Sequence, residues 1–396
     1  MRHHGSHHPI VKYPDPRTAA LVLSLLALCP YLGLGAQAPQ PSPRFGPHVV
    51  HHRADTERSG TFHFPAIRQA PVVKWRTQLG TTLFLGTPLI AEEALYTGGS
   101  DGSLYALDRE TGRVLWSGGG FQAIENATVI AGDVIIGGGM DRTVRALERH
   151  TGALVWSFNA SAPVFTPPLV VGDQIYVATY DQLHALDLNS GQERWAADVG
   201  NIPAPVGAPA FESGTVFVSA GNVLFALDSA TGKERWRVES RMQFWSLAIG
   251  HHLAYVGNSD GYFYAYDQKT GQEQWRFQSA WGAGEIWSAP AIAGTTVYVG
   301  SRDGSVYAID TRSGRQIWAF KTAGDAVGDP VLSNGMLYVS DSNHALPFGV
   351  RRLHALDAST GAEVWKFEDR STLLTTPALG RNAIYLTITG QVIALQ

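Results

Sequence analysis

The chain has 396 residues, 44% of them hydrophobic and 16% charged, with a formal net charge of −4. That composition allows a large core, and its slightly acidic balance argues against a nucleic-acid binder, which needs a basic face. One cysteine, Cys29, excludes a disulfide within the chain and leaves the redox compartment open.

The N-terminus carries Arg2, Lys12 and Arg17, then an apolar run from Ala19 to Leu28. The run is too short to span a bilayer and suits a signal peptide. Small residues follow, with Ala36 and Ala38 at an A-x-A cleavage site, so residues 1–38 are expected to be removed on export. Leu28 before Cys29 departs from a lipobox, which favours a protein without a lipid anchor. His3, His4, His7 and His8 precede the run and would leave with it. Residues 39–70 read as a Pro-rich linker and lead-in. His48, His51 and His52 are expected in a solvated tail, and no metal site is expected there, because no cysteine or carboxylate stands at ligand spacing.

From residue 71 to 396 one pattern dominates. The motif A-x-D-x-x-T-G-x-x-x-W occurs as Ala106 to Trp116 (ALDRETGRVLW), and recurs ending at Trp156, Trp195, Trp236, Trp275, Trp318 and Trp365. The tryptophans are 40, 39, 41, 39, 43 and 47 residues apart, the period of a propeller blade. An eighth copy is split: Ala394-Leu395-Gln396 begins it, and Trp75 stands 41 residues before Trp116. The spacing predicts an all-β, eight-bladed propeller of four-stranded antiparallel blades. The strand around Trp75 should join the C-terminal strands and remove two free sheet edges. Within each copy the Asp is expected to accept hydrogen bonds from turn amides. The Gly fits a turn with φ > 0, and the Trp should pack on the neighbouring sheet. Upstream of each motif lie an inner strand, a turn and a second strand, as in Ser288 to Gly300. Asp101-Gly102, Asp260-Gly261 and Asp303-Gly304 are tight hairpin signals between second and third strands.

This pattern resembles the pyrroloquinoline-quinone (PQQ) repeat, the tryptophan-docking motif of the quinoprotein alcohol dehydrogenase-like propellers. Size, blade number and the short lead-in are most similar to the exported, non-enzymatic, BamB-like group. Arg53-Ala54-Asp55 and Arg58-Ser59-Gly60 resemble a lead-in found before many bacterial members, and the sequence assigns it no role. The resemblance implies a non-catalytic scaffold in the periplasm, associated with the outer membrane, that binds another envelope protein and is a monomer outside its complex. No cofactor is expected. The enzymes of the superfamily hold PQQ with calcium, but they carry large insertions between blades and many place two adjacent cysteines beside the quinone. A small PQQ-dependent dehydrogenase or quinone-binding protein stays open as an alternative, as does a carbohydrate-binding propeller.

The repeated Asp, Thr and Gly are structural by register, and no catalytic motif stands out. Variation between copies is concentrated where each outer strand crosses to the next inner strand, at one rim. Those crossings carry Phe84, Phe121, Phe165, Phe244, Trp245, Trp281 and Trp287, with Glu125, Arg241, Glu285, Asp325 and Asp329 among them. Two readings remain: the aromatics plug the channel or pack between blades, or they form a partner or ligand face. An insertion spans residues 340–352 in the seventh full copy. It is either a tolerated loop or a contact arm bearing Leu346, Phe348, Arg351 and Arg352.

Overall fold

The computed structural model describes residues 49–80, 86–92, 94–124, 128–200, 206–280, 285–324, 326–342, 350–370 and 375–396. The strands grade from inside to outside as their sequences do. Second and third strands such as Thr296–Gly300 and Ser305–Asp310 are nearly all apolar and buried along their length. Outer strands such as Gln316–Lys321 alternate half-buried and exposed residues. A middle strand buried on both faces needs a sheet above and a sheet below, which face-to-face stacking of blades supplies.

The strands form eight sheets, each built on four antiparallel strands. Leu89–Ala91, Ala94–Gly98, Leu104–Asp108 and Val114–Gly118 make blade 1, and the pattern repeats through blade 7. Blade 8 takes Ala378–Leu379, Ile384–Ile388 and Gln391–Leu395 from the C-terminal end and Val73–Gln78 from the N-terminal side, with Trp75 opposite Ala394. Val72 and Gln396 exchange two backbone hydrogen bonds of 2.9 Å beyond that ladder. Leu79, Leu95, Tyr105 and Leu107 share one apolar cluster with Ala378, Tyr385 and Val392, so the core continues between blades 8 and 1. The other clusters also draw on two adjacent blades; Tyr255 and Phe263 meet Val297 and Ile309 in this way.

The repeated tryptophans lie between blades. In blades 1 to 7 the motif Ala pairs with the motif Trp and a bulge follows the Ala, as at Ala265 opposite Trp275. From Trp75 to Trp318 the indole Nε1 donates to a carbonyl of the next blade's turn: Trp75 to Arg109 at 3.1 Å, Trp116 to Arg149 at 2.8 Å, Trp236 to Gln268 at 2.8 Å. Gly271 has φ +70°, and a Cβ there would lie 2.8 Å from Trp236 Cε3. The motif Gly therefore answers two demands, a left-handed turn and the close approach of an indole. The motif Asp caps that turn. Asp267 Oδ1 accepts from Lys269 N, Thr270 N and Thr270 Oγ1, and these bonds, with the Thr270 hydroxyl foremost, hold its carboxyl below the usual range. Glu148 replaces Asp in blade 2 and accepts from His150 N and Thr151 N.

One tryptophan departs from this scheme. The outer strand of blade 8 comes from the other end of the chain, so no motif turn joins it to the third strand. Trp365 Nε1 instead donates to Ile67 O at 2.8 Å, and Phe62, Ala66 and Ile67 pack on the cluster around Trp365.

Candidate binding surfaces

The rim separates the residues picked from sequence into several groups. Phe84, Glu125, Trp281, Asp325, Leu346 and Phe348 lie outside the described residues. Phe121 and Phe244 are core residues, 6% and 1% exposed. Phe121 fills the space above Gly137 and Gly139 under the Arg145 guanidinium, whose carbon is 4.6 Å from the ring centroid. Phe244 meets Tyr264 and Tyr266 edge-on. Neither can serve as a surface anchor without opening a blade.

Trp245 and Trp287 are half-buried and partly spent on holding the ring. Trp245 Nε1 donates to Ser259 Oγ at 2.9 Å, while its carbonyl accepts from Ser219 Oγ of blade 4 at 2.6 Å. Trp287 Nε1 donates to Val327 O of blade 7 at 3.1 Å. Over the Trp287 ring lies Arg302, which pairs with Glu285 at 2.7 Å. Asp329 accepts from Ala289 N at 2.8 Å. Arg241 is exposed beside Met242, which is 47% exposed. Phe165 packs against Tyr180 with the rings tilted by 49° and centroids 4.8 Å apart, and the pair borders a recess of about 300 Å³ with Pro163, Thr166 and Val206. Of the described rim residues, Phe165, Arg241, Trp245, Glu285, Trp287 and Asp329 keep accessible surface. In the insertion, Arg351 is buried, and Arg352 is tied to Asp341 and Glu368 at 3.5 and 3.1 Å, so both belong to the blade wall.

Sequence reasoning missed the lead-in's role. Residues 49–62 run inside the ring along the inner strands of blades 2 to 7 as a collar. Val49–Val50 pairs antiparallel with Thr128–Ala131. The amides of Phe211, Ile249, Ile292 and Leu332 then donate to the carbonyls of Thr56, Glu57, Ser59 and Gly60, at 2.8 to 2.9 Å. Thr61–Phe62 completes the path beside Val331–Ser333 of blade 7. Arg53, Ala54, Arg58 and Gly60 all have φ between 60° and 74°, which bends the segment around the mouth.

Two arginines fasten the collar. Arg58, 1% exposed, donates through Nε to Pro209 O, through Nη2 to Pro167 O and Pro168 O, and through Nη1 to His52 O, at 2.7 to 3.1 Å. Arg53 Nη2 donates to Pro290 O and Pro330 O, and Nη1 lies 3.7 Å from Asp329. Asp329 therefore links the rim to the collar. The prolines stand just before inner strands, where a carbonyl without a strand partner faces the channel. Burial lowers the Arg58 pKa to about 9, with Arg53 adding to the effect and Asp55 opposing it. His51, expected in a solvated tail, is 6% exposed instead, with Nε2 3.0 Å from Val170 O. Burial first, and the Arg58 charge second, push its pKa down to about 3.

Among the described residues, no three His, Cys, Asp or Glu side chains converge as a metal ion would require. Among the same residues no helix is long and apolar enough to cross a membrane.

Comparison with known proteins places these features in context. The chain matches the sequence family described as "Outer membrane protein assembly factor BamB" over residues 72–123, 118–185, 181–293 and 259–396. No curated protein matches it in sequence. The crystal structure of BamB from Moraxella catarrhalis is 20% identical, with a TM-score of 0.65, covering 82% of this chain and 99% of that one. A quinohemoprotein alcohol dehydrogenase from Comamonas testosteroni is 13% identical, with a TM-score of 0.72, covering 87% and 80%. The computationally designed Ika8 protein is 17% identical, with a TM-score of 0.69, covering 80% and 96%. An assembly factor, an enzyme and a designed ring share this architecture, so the fold by itself selects none of their roles.

Proposed function

Because the chain belongs to the BamB family of PQQ-repeat propellers, we propose that it is an exported, non-catalytic scaffold that binds another protein of the cell envelope. The observation that carries this reading is the family match, which runs through all eight blades from residue 72 to 396. The family's description as an outer membrane protein assembly factor supports a partner taking part in that process. The N-terminal run from Ala19 to Leu28 supports export to the periplasm, and association with the outer membrane would come through the partner.

The rim is the binding face in this proposal. Phe165 with Tyr180 beside a recess, Trp287 under Arg302, and exposed Arg241 supply the aromatic and arginine anchors that protein interfaces favour. All are mounted on blades that the docking tryptophans hold in place, which limits the ordering cost of association.

Capture from envelope extracts tests the proposal. The protein should retain a defined partner, and Phe165→Ala with Trp287→Ala should reduce its recovery about tenfold or more, with the thermal midpoint monitored for both variants. Absence of any partner, together with tight binding of PQQ in the presence of calcium and dye-linked oxidation of an alcohol or sugar, would overturn it in favour of a quinoprotein.

A further inference from the structure

The collar serves six inner strands and leaves two. Blades 2 and 3 receive Val50 and His51, and blades 4 to 7 receive the carbonyls of Thr56, Glu57, Ser59 and Gly60. By the same register, Ile90 of blade 1 and Leu379 of blade 8 correspond to Ile292. Their amides point into the channel and have no hydrogen-bond partner among the described residues. The arginines show the same gap. Arg58 spans proline carbonyls of blades 3 and 4, and Arg53 spans those of blades 6 and 7. Pro88 and Pro377 hold the equivalent places in blades 1 and 8, and no arginine of the collar reaches them.

A cavity of about 400 Å³ lies at this gap, large enough for a small ligand. Val49, Val50, Phe62, Leu89, Ile90 and Leu379 supply apolar walls; Arg53 and Asp55 also line it, the Asp55 carboxylate accepting from Ser59 N and Oγ. Groups of both kinds with no partner among the described residues border it: the amides of Ile90 and Leu379 and the carbonyls of Pro88 and Pro377. We infer that this gap is a binding site for a short arginine-bearing peptide segment of another protein. Two backbone carbonyls of the segment, one or two residues apart as in the collar, accept from Ile90 and Leu379. Its guanidinium spans Pro88 O and Pro377 O, as those of Arg58 and Arg53 span the proline carbonyls of their blades. Val49–Val50, which walls the cavity, is held antiparallel to Thr128–Ala131 of blade 2 and so does not itself pair with the inner strands of blades 1 and 8.

The collar supplies the probe. A capped heptapeptide of the sequence Thr-Glu-Arg-Ser-Gly-Thr-Phe, matching residues 56–62, is titrated into the full chain by calorimetry, with amide exchange followed by NMR or mass spectrometry. Saturable binding is expected, with exchange at Ile90 and Leu379 slowed about tenfold or more while Ile292 stays unchanged. Replacing the peptide's arginine by norleucine should weaken binding about tenfold or more, and this control leaves the protein's own folding untouched. No saturable binding at millimolar peptide, equal affinity for the norleucine peptide, or unchanged exchange at both amides would overturn the inference. So would protection of Ile90 and Leu379 equal to that of Ile292 before any peptide is added, because the chain itself would then fill the gap. The site does not depend on the rim, and Phe165→Ala with Trp287→Ala should leave peptide binding intact.

Discussion

Two belts tie the blades together, and they are built on opposite plans. The outer belt repeats one contact: an indole, a carbonyl of the next blade and a glycine beneath the ring, as at Trp236, Gln268 and Gly271. Each such contact joins one pair of neighbours, so a defect stays local, as in other repeat architectures. The collar is a single non-repeating strand that touches six blades in fourteen residues, with its load concentrated on Arg53 and Arg58. Redundancy protects the outer belt, whereas the collar has no second copy. The same job of closing a ring is done once by periodicity and once by a few buried charged hydrogen bonds.

That contrast breaks most sharply at Arg58. Arg58→Ala would strand the carbonyls of Pro167, Pro168 and Pro209 in a site that water reaches poorly. The expected cost is about 3–5 kcal/mol, read from chemical denaturation, because several charge-assisted bonds are lost together. Arg58→Lys keeps the charge but not the fork, and should recover only part of it. A loss below about 1 kcal/mol for Arg58→Ala would mean that the collar only decorates a ring that the tryptophans already hold.

The outer belt should respond less to one change. Gly271→Ala forces a Cβ toward Trp236 and a side chain into φ +70°, at a cost of roughly 2–3 kcal/mol. The equivalent change at Gly152, beneath Trp116, should cost about the same, and the double variant should lose the sum. Unequal or strongly non-additive losses would show that the belt acts as one cooperative unit and would erase the distinction from the collar.

The two belts also explain what was legible in the sequence. A contact made in every blade leaves a periodic trace, so Trp75 to Trp365, the capping Asp and the split eighth copy all announced themselves, down to Trp75 opposite Ala394. What periodicity could not show was the second duty of the motif glycine, because a turn with φ > 0 already accounts for it. The collar left a weaker trace. Arg53 and Arg58 are charged residues near proline-rich sequence, where charge ordinarily means solvent. Their proline partners are carbonyls 109 to 277 residues away, and a carbonyl has no residue type to read. One clue was available: Pro stands before the inner strand at Pro88, Pro168, Pro209, Pro290, Pro330 and Pro377, in step with the repeat. At the rim, composition picked out aromatics without separating core from surface. Phe244 and Phe165 look alike in sequence, yet one lies edge-on to Tyr264 and Tyr266 inside a blade and the other borders an open recess.

His51 gives the smallest test, since it is a buried histidine of the collar whose ring burial and the Arg58 charge both keep neutral. Its pKa falls from 6.5 to about 3 in the folded chain. Between those values the unfolded chain binds a proton that the folded chain refuses. Stability from this group is therefore fully present above pH 6.5 and falls by about 1.4 kcal/mol per pH unit below it. Between pH 7.5 and 5.5 the native protein should lose about 1.4 kcal/mol that a His51→Gln variant retains, whatever the variant's starting stability. The outer belt adds nothing in that window, because its carboxylates titrate lower: hydrogen bonds hold Asp108, Asp267, Asp310 and Asp357 below the usual carboxylate range. A pH-dependent loss shared equally by the native protein and His51→Gln would place the acid sensitivity at another group, the neighbouring His52 included, whose pKa burial also lowers. A loss confined to the native protein would place it in the collar, and peptide exchange at Val170 should then quicken before exchange in the strands beside Trp236.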